Sequence, residues 1–188
     1  MKNVLLLHGS GNNSQGNWFP WLKKELEEKG FKVWVPNLPH ADYPDISEWV
    51  DFIFSSKNWE FNKESLIIGH SAGATLILGL LQNLPSNKVI SKAILVAGCV
   101  SIGKSKEKNR VKQGLLKSPF NWNKIKQSAQ KFYFIHSDND RYECGIEQGM
   151  IMQQYLGGEL IFKPGEDHFN LETSPKYKKF PLLLELIG

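Results

Sequence analysis

Short, uniformly apolar runs recur along this chain, and amphipathic segments separate them. Val4–Leu7 is the first such run, and it stops at His8-Gly9-Ser10-Gly11. A continuous apolar run closed by a glycine turn suits a parallel strand buried on both faces. From Trp18 to Glu28 the apolar residues Trp18, Trp21, Leu22 and Leu26 fall at helical spacing with charges between them, and Gly30 closes that helix. A strand over Phe31–Val35 ends at Pro36, and the loop Asn37–Pro44 is stiffened by Pro39 and Pro44. Ser47 caps a helix predicted over Glu48–Phe54. The third strand is Ser65–Ile68. Thr75–Leu84, apolar nearly all round, predicts a buried helix stopped by Pro85.

The second half repeats the scheme. Strands are predicted over Val89–Val96, Phe132–Ile135 and Leu160–Phe162, and helices over Trp122–Gln130, Gly145–Tyr155 and Pro181–Ile187. Only residues 101–120 break it. Lys104, Lys106, Lys108, Arg110 and Lys112 crowd this stretch, no long apolar run crosses it, and it reads as a solvated loop or helix face, with a mobile insertion near the mouth of a site as the alternative. Strands alternating with helices imply βαβ units, an α/β fold, and a mainly parallel sheet with helices on both faces. Such sheets place their ligands beyond the C-terminal ends of the strands.

One of those ends carries Gly69-His70-Ser71-Ala72-Gly73. Gly-x-Ser-x-Gly between a strand and a helix is the pattern of a nucleophile elbow, a strained turn that lifts a serine hydroxyl into an open site. Glycines flank the serine because larger side chains would clash. The following helix aims free N–H groups at the same spot, so Ala72 N–H, with Gly9 or Ser10 after the first strand, is the expected oxyanion hole.

A serine hydroxyl needs a base, and the base needs an acid to fix its tautomer. His168, in the turn after the last strand, and Asp140, after Phe132–Ile135, follow Ser71 in the order this elbow predicts. Asp138 stands two residues from Asp140 and is the alternative acid. His8 is expected to orient the first loop and His70 to pack beside the sheet. His40 and His136 carry no signal of their own, and no metal-ligand spacing appears, so no cofactor and no metal are expected.

Composition narrows the partners. At 188 residues with 41% hydrophobic and 22% charged residues, the chain fits one globular domain over 1–188. A net charge of +4 falls short of a nucleic-acid-binding composition, and no run approaches the roughly 20 apolar residues of a membrane helix. Neither nucleic acid nor membrane is an expected partner. Cys99 and Cys144 lie far apart and suggest neither a disulfide framework nor a zinc site, which fits a reducing compartment and a cytoplasmic location.

With Asn17-Trp18-Phe19-Pro20-Trp21-Leu22, the Asn37-Leu38-Pro39 turn and His168-Phe169 added to the elbow, the whole chain resembles a small family of α/β-hydrolase fold proteins that includes retinoblastoma-binding protein 9 and the YdeN-type bacterial proteins. The resemblance implies a three-layer fold with a minimal, mainly parallel sheet of about six strands. It implies serine hydrolase activity through Ser71, Asp140 and His168, and it favours Asp140 over Asp138. The chain departs from the family at Asp140-Arg141-Tyr142-Glu143-Cys144, where Asp-Pro-x-Val-Pro is usual, and at His136, where glycine is common. The expected activity is cleavage of a small ester, thioester or amide, with esters first. No long lid segment is evident. The competing expectation is an interaction module on a hydrolase scaffold with incidental esterase activity and an unidentified protein partner.

Overall fold

The computed structural model describes residues 2–188, with the side chains of residues 106–108 set aside. Its strands are β1 (Asn3–Leu7), β2 (Lys32–Trp34), β3 (Leu66–His70), β4 (Ile90–Val96), β5 (Ala129–His136) and β6 (Glu159–Phe162). All pair in parallel in the order β2-β1-β3-β4-β5-β6. The helices are α1 (Phe19–Glu28), α2 (Ile46–Ser55), α3 (Ala72–Asn83), α4 (Lys106–Leu115), α5 (Trp122–Gln127), α6 (Ile146–Leu156) and α7 (Pro181–Ile187).

Successive strand side chains point to opposite faces, and both faces are covered. Leu5, Leu7 and Ile67 pack with Trp49 and Ile53 of α2 and Leu76 and Ile77 of α3. Val4, Leu6 and Ile68 pack with Phe19 and Leu22 of α1 and Leu183 and Ile187 of α7. The architecture is the three-layer α/β-hydrolase fold. The central strands β1 and β3 read as unbroken apolar runs because neither face meets water.

The chain leaves β1 toward β2 on one side and returns to β3 on the other, so the strand order reverses between β1 and β3. A crevice opens where the loops above adjacent strands diverge. The β1 loop begins at His8 and the elbow at Ser71, so both rise from that point.

Several boundaries differ from the sequence expectation. Helix α2 starts at Ile46, not Glu48, because Asp45 and not Ser47 is its cap: the Asp45 carboxylate accepts from Ser47 N–H at 2.9 Å and Glu48 N–H at 3.3 Å. Strand β3 runs two residues past Ile68, and α3 begins directly after Ser71, as the elbow requires. Strand β5 begins at Ala129, where its exposed Gln130 and Lys131 continue the ladder beside β4. The basic stretch contains α4, and it is not a solvated face throughout. Asn109, Lys112 and Leu115 of this helix are buried.

Candidate active site

Ser71 sits at φ 56°, ψ −122°, a backbone state that costs a non-glycine residue energy and persists only where its surroundings enforce it. Its N–H donates to Val96 O at 2.8 Å. The flanking glycines are needed for space. A Cβ on Gly69 would lie 2.4 Å from Gly73 O, and one on Gly73 would lie 2.3 Å from Leu7 O. Gly9 lets the β1 loop approach the elbow as well, since a Cβ there would stand 2.9 Å from Ser71 Cβ.

Ser71, His168, Gly9, Ser10 and Ala72 line one cleft of about 480 Å³. Ala72 opens α3, and its N–H precedes the first helical bonds, which Ala74 and Thr75 N–H donate to Ser71 O at 2.9 and 3.2 Å. His168 is 3% exposed, and its Nδ1–H donates to Asp140 Oδ2 at 2.7 Å, leaving Nε2 as the ring's other nitrogen. Asp140 Oδ1 accepts from the N–H groups of Tyr142 and Cys144, at 2.8 and 3.3 Å. Burial alone would raise the Asp140 pKa. The bond and charge of His168 and these two amides outweigh it and hold the carboxyl below its ordinary value. Asp138 does not reach the histidine: its Oδ1 accepts from Gly165 N–H at 2.8 Å.

Asp138 is one stitch in a seam that sequence reasoning missed. The loop after β5 bonds the loop after β6 residue by residue. Ser137 Oγ donates to Asp167 O at 2.6 Å, Asn139 Oδ1 accepts from Asp167 N–H at 2.9 Å, and Arg141 Nε donates to Asp167 Oδ2 at 2.8 Å. The polar density of Ser137–Arg141 was the available signal. Below this seam the histidine loop is pinned by two rings, His70 Nε2–H donating to His168 O at 2.7 Å and Trp18 Nε1–H to Phe169 O at 3.2 Å.

The remaining histidines hold backbone. Burial, and then the nearby His168, push the His70 pKa down to about 3, so the ring is neutral. His8 accepts Leu38 N–H on Nε2 at 2.9 Å and donates from Nδ1 to Gly9 O at 2.8 Å, which orients the β1 loop; burial keeps it neutral. His136 donates from Nδ1 to Cys144 O at 2.8 Å, and burial lowers its pKa also. His40 lies outside, beside Glu48.

Two expectations are corrected at the cleft. Cys99 and Cys144 form a disulfide, with 5.2 Å between Cα atoms, and both line the cavity. Forty-five residues separate them along the chain, but they follow the C-terminal ends of the neighbouring strands β4 and β5. With the thiols paired, the cysteines give no argument for a reducing compartment. The cleft also has a cover, for Val111, Lys112 and Leu115 of α4 line it. Lys112 Nζ donates to Glu143 O at 3.2 Å, tying this cover to the acid loop. The side chains of Lys106 and Lys108 lie outside the described residues.

Tyr142 and Glu172 complete the rim. The Tyr142 ring lies 4.5 Å from the His168 ring, and its hydroxyl donates to Glu172 at 2.6 Å. Burial and the Glu172 carboxylate raise the phenol pKa to about 12, so it remains a donor at neutral pH. Among the described residues no cluster of three or more His, Cys, Asp or Glu side chains is placed to hold a metal, and no helix is long and apolar enough to cross a membrane.

Chemically, the cleft offers a raised hydroxyl, an imidazole polarised by a carboxylate, and backbone donors at a helix start. The serine hydrolase family model matches residues 4–187. YdeN of Bacillus subtilis (strain 168) is 30% identical over 140 residues, which cover 74% of this chain and 72% of YdeN. The crystal structure of the B. subtilis ydeN product superposes with a TM-score of 0.88 at 24% identity, over 100% of this chain and 97% of that one. An esterase from Exiguobacterium antarcticum shares the fold more distantly, with a TM-score of 0.68 at 15% identity over 100% and 92% of the two chains. A hydrolase by these relations, the chain belongs to the serine hydrolase family, among its small YdeN-like members on the α/β-hydrolase fold.

Proposed function

We propose that the protein cleaves small esters, thioesters or amides by acyl transfer to water, with carboxylic esters the main class. Ser71 is the nucleophile, His168 the general base and then acid, and Asp140 the carboxylate that fixes the imidazole tautomer. The observation that carries this reading is the 2.7 Å bond between His168 and Asp140 in the wall of a cleft that also holds Ser71 in its strained turn.

Ser71 Oγ attacks the carbonyl carbon while its proton passes to His168 Nε2. The oxygen of the tetrahedral intermediate takes the negative charge and is stabilised by Ala72 N–H together with Gly9 or Ser10 N–H. His168 then protonates the leaving alcohol, thiol or amine. Water, deprotonated by the same ring, releases the acid from the acyl-enzyme. The depressed pKa of Asp140 keeps it ionised at neutral pH, where it favours the imidazolium formed in each half-reaction.

The test is fluorophosphonate labelling mapped by mass spectrometry, alongside p-nitrophenyl acetate turnover. Label should appear on Ser71 and be absent from Ser71→Ala protein. Asp140→Asn should slow both readouts by about 10³- to 10⁴-fold, since it presents the wrong tautomer. Asp138→Asn keeps an oxygen for Gly165 N–H and should stay within about threefold, the scale of a small hydrogen-bond difference. Well-folded wild type that neither labels nor turns over would overturn the reading and leave the interaction module in its place.

A further inference from the structure

Two carboxamides that the chemistry above does not use stand in the cleft wall. Asn17 and Asn170 line the same cavity as Ser71 and His168, and they are only 9% and 8% exposed. Each is oriented by a backbone donor on its oxygen. Leu171 N–H donates to Asn17 Oδ1 at 3.1 Å, and Thr173 N–H donates to Asn170 Oδ1 at 3.0 Å. With the oxygens assigned in this way, both NH₂ groups are left over. Asn17 Nδ2 is buried with no protein acceptor. Among the described residues none takes the Asn170 NH₂ either, and that group is not among the buried unpaired ones, so it meets solvent.

Buried polar groups in folded proteins are ordinarily paired, and an orphaned donor weakens the fold unless something supplies its acceptor. Asn17 is also held at φ 46°, an uncommon state for a residue other than glycine, which fixes where its amide stands. Ligand clefts are mostly apolar, with a few placed polar groups that set the ligand's orientation. Here the uncommitted groups are two neutral donors, and the charged side chains lining the same cavity, Lys112 and Glu172, are opposite in sign and each bonded within the protein. The matching ligand atom is therefore a neutral oxygen acceptor.

We propose that the Asn17 and Asn170 amides form a donor pair that selects substrates carrying a neutral oxygen acceptor, an ether, hydroxyl or carbonyl, on the arm lying along this wall. The inference rests on the hydrolase reading and narrows its substrate class. A site built to donate a hydrogen bond rejects an analogue lacking the acceptor, because the buried Asn17 donor is then left unpaired.

The test compares near-isosteric esters that differ by an oxygen in place of a methylene. p-Nitrophenyl methoxyacetate against p-nitrophenyl butyrate probes the acyl arm, and 2-methoxyethyl acetate against butyl acetate probes the alcohol arm. The readout is the ratio of kcat/KM within each pair, corrected by the ratio of their hydroxide-catalysed rates. In wild type one pair should favour the oxygen-bearing ester by about three- to tenfold per donor. Asn17→Asp and Asn170→Asp keep the oxygen that accepts the backbone N–H and remove one donor each, so either should cut that preference by its about three- to tenfold share and the double substitution should abolish it; circular dichroism checks their folding. A purely structural asparagine predicts ratios that do not move. Equal corrected ratios in wild type, or a preference that survives both substitutions, overturns the proposal while Ser71 still labels. No labelling of wild-type Ser71 removes the hydrolase reading, and this proposal with it.

Discussion

Breaking the Cys99–Cys144 bridge should cost stability by an amount that follows from the chain it closes. The cysteines are 45 positions apart, and for a closed loop of about that length the chain-entropy relation gives a loss near 13 cal/mol/K, or about 4 kcal/mol at 25 °C. Both residues are buried, at 4% and 5% exposure, and alanines there would also leave small cavities, so Cys99→Ala/Cys144→Ala should lose at least as much as reduction alone. With a urea m-value of about 2 kcal/mol/M, the midpoint should fall by about 2 M. The assay is urea unfolding followed by tryptophan fluorescence, on oxidised protein, protein held in a dithiol reductant, and the double variant. Alkylation under denaturing conditions without reductant should find no free thiol. Two alkylated cysteines in the protein as isolated, or a common midpoint for all three samples, would refute the reasoning.

Two further outcomes follow from the buried rings and the elbow. His8, His70 and His136 have pKa values lowered by burial, so below the unfolded histidine value near 6.5 the unfolded chain binds protons that the native one refuses. Stability should therefore be full above that pH and fall as the pH drops toward about 3, the native value at His70, each ring adding about 1.4 kcal/mol per pH unit while it is the only form to differ. Urea midpoints across pH 4 to 8 read this, and a flat profile would contradict neutral, buried histidines. Gly73→Ala would drive a methyl to within 2.3 Å of Leu7 O and force α3 away from β1. The expected cost of about 3 kcal/mol lowers the Tm by roughly 6 to 12 °C and should abolish labelling of Ser71; unchanged melting would show that the close approach is not required.

The fold and the elbow were legible because their signals are local. An apolar run such as Val4–Leu7, a glycine on each side of a serine, and the chain order of Ser71, Asp140 and His168 can all be read without knowing what lies across the molecule. What escaped reading depends on contacts distant in sequence. Hydropathy sends Asn109 and Lys112 to solvent. Asn109 is instead buried by bonds to both backbone groups of Gly103, and Lys112 by Glu143 O. Thus α4 becomes a cover although its composition is that of a surface. The disulfide escaped for the same reason, since spacing along the chain says nothing about two residues at the ends of adjacent strands. The cap of α2 failed on a finer point: Asp45 and Ser47 are both good capping residues, and only the extended backbone of Asp45, at φ −121°, ψ 122°, decides between them.

The stitched loops after β5 and β6 have a consequence for grafting and recombination. Gly165 and Asp167 each give a backbone N–H to a side chain from the segment Asp138–Asn139, and Asp167 holds Arg141 in return. Replacing either loop from a relative with different spacing would strand those amides and swing the imidazole off its carboxylate, even with Ser71, Asp140 and His168 all retained. The two loops form one inheritable cassette. A chimera should function when its crossover lies outside both, and fail when the crossover falls between them.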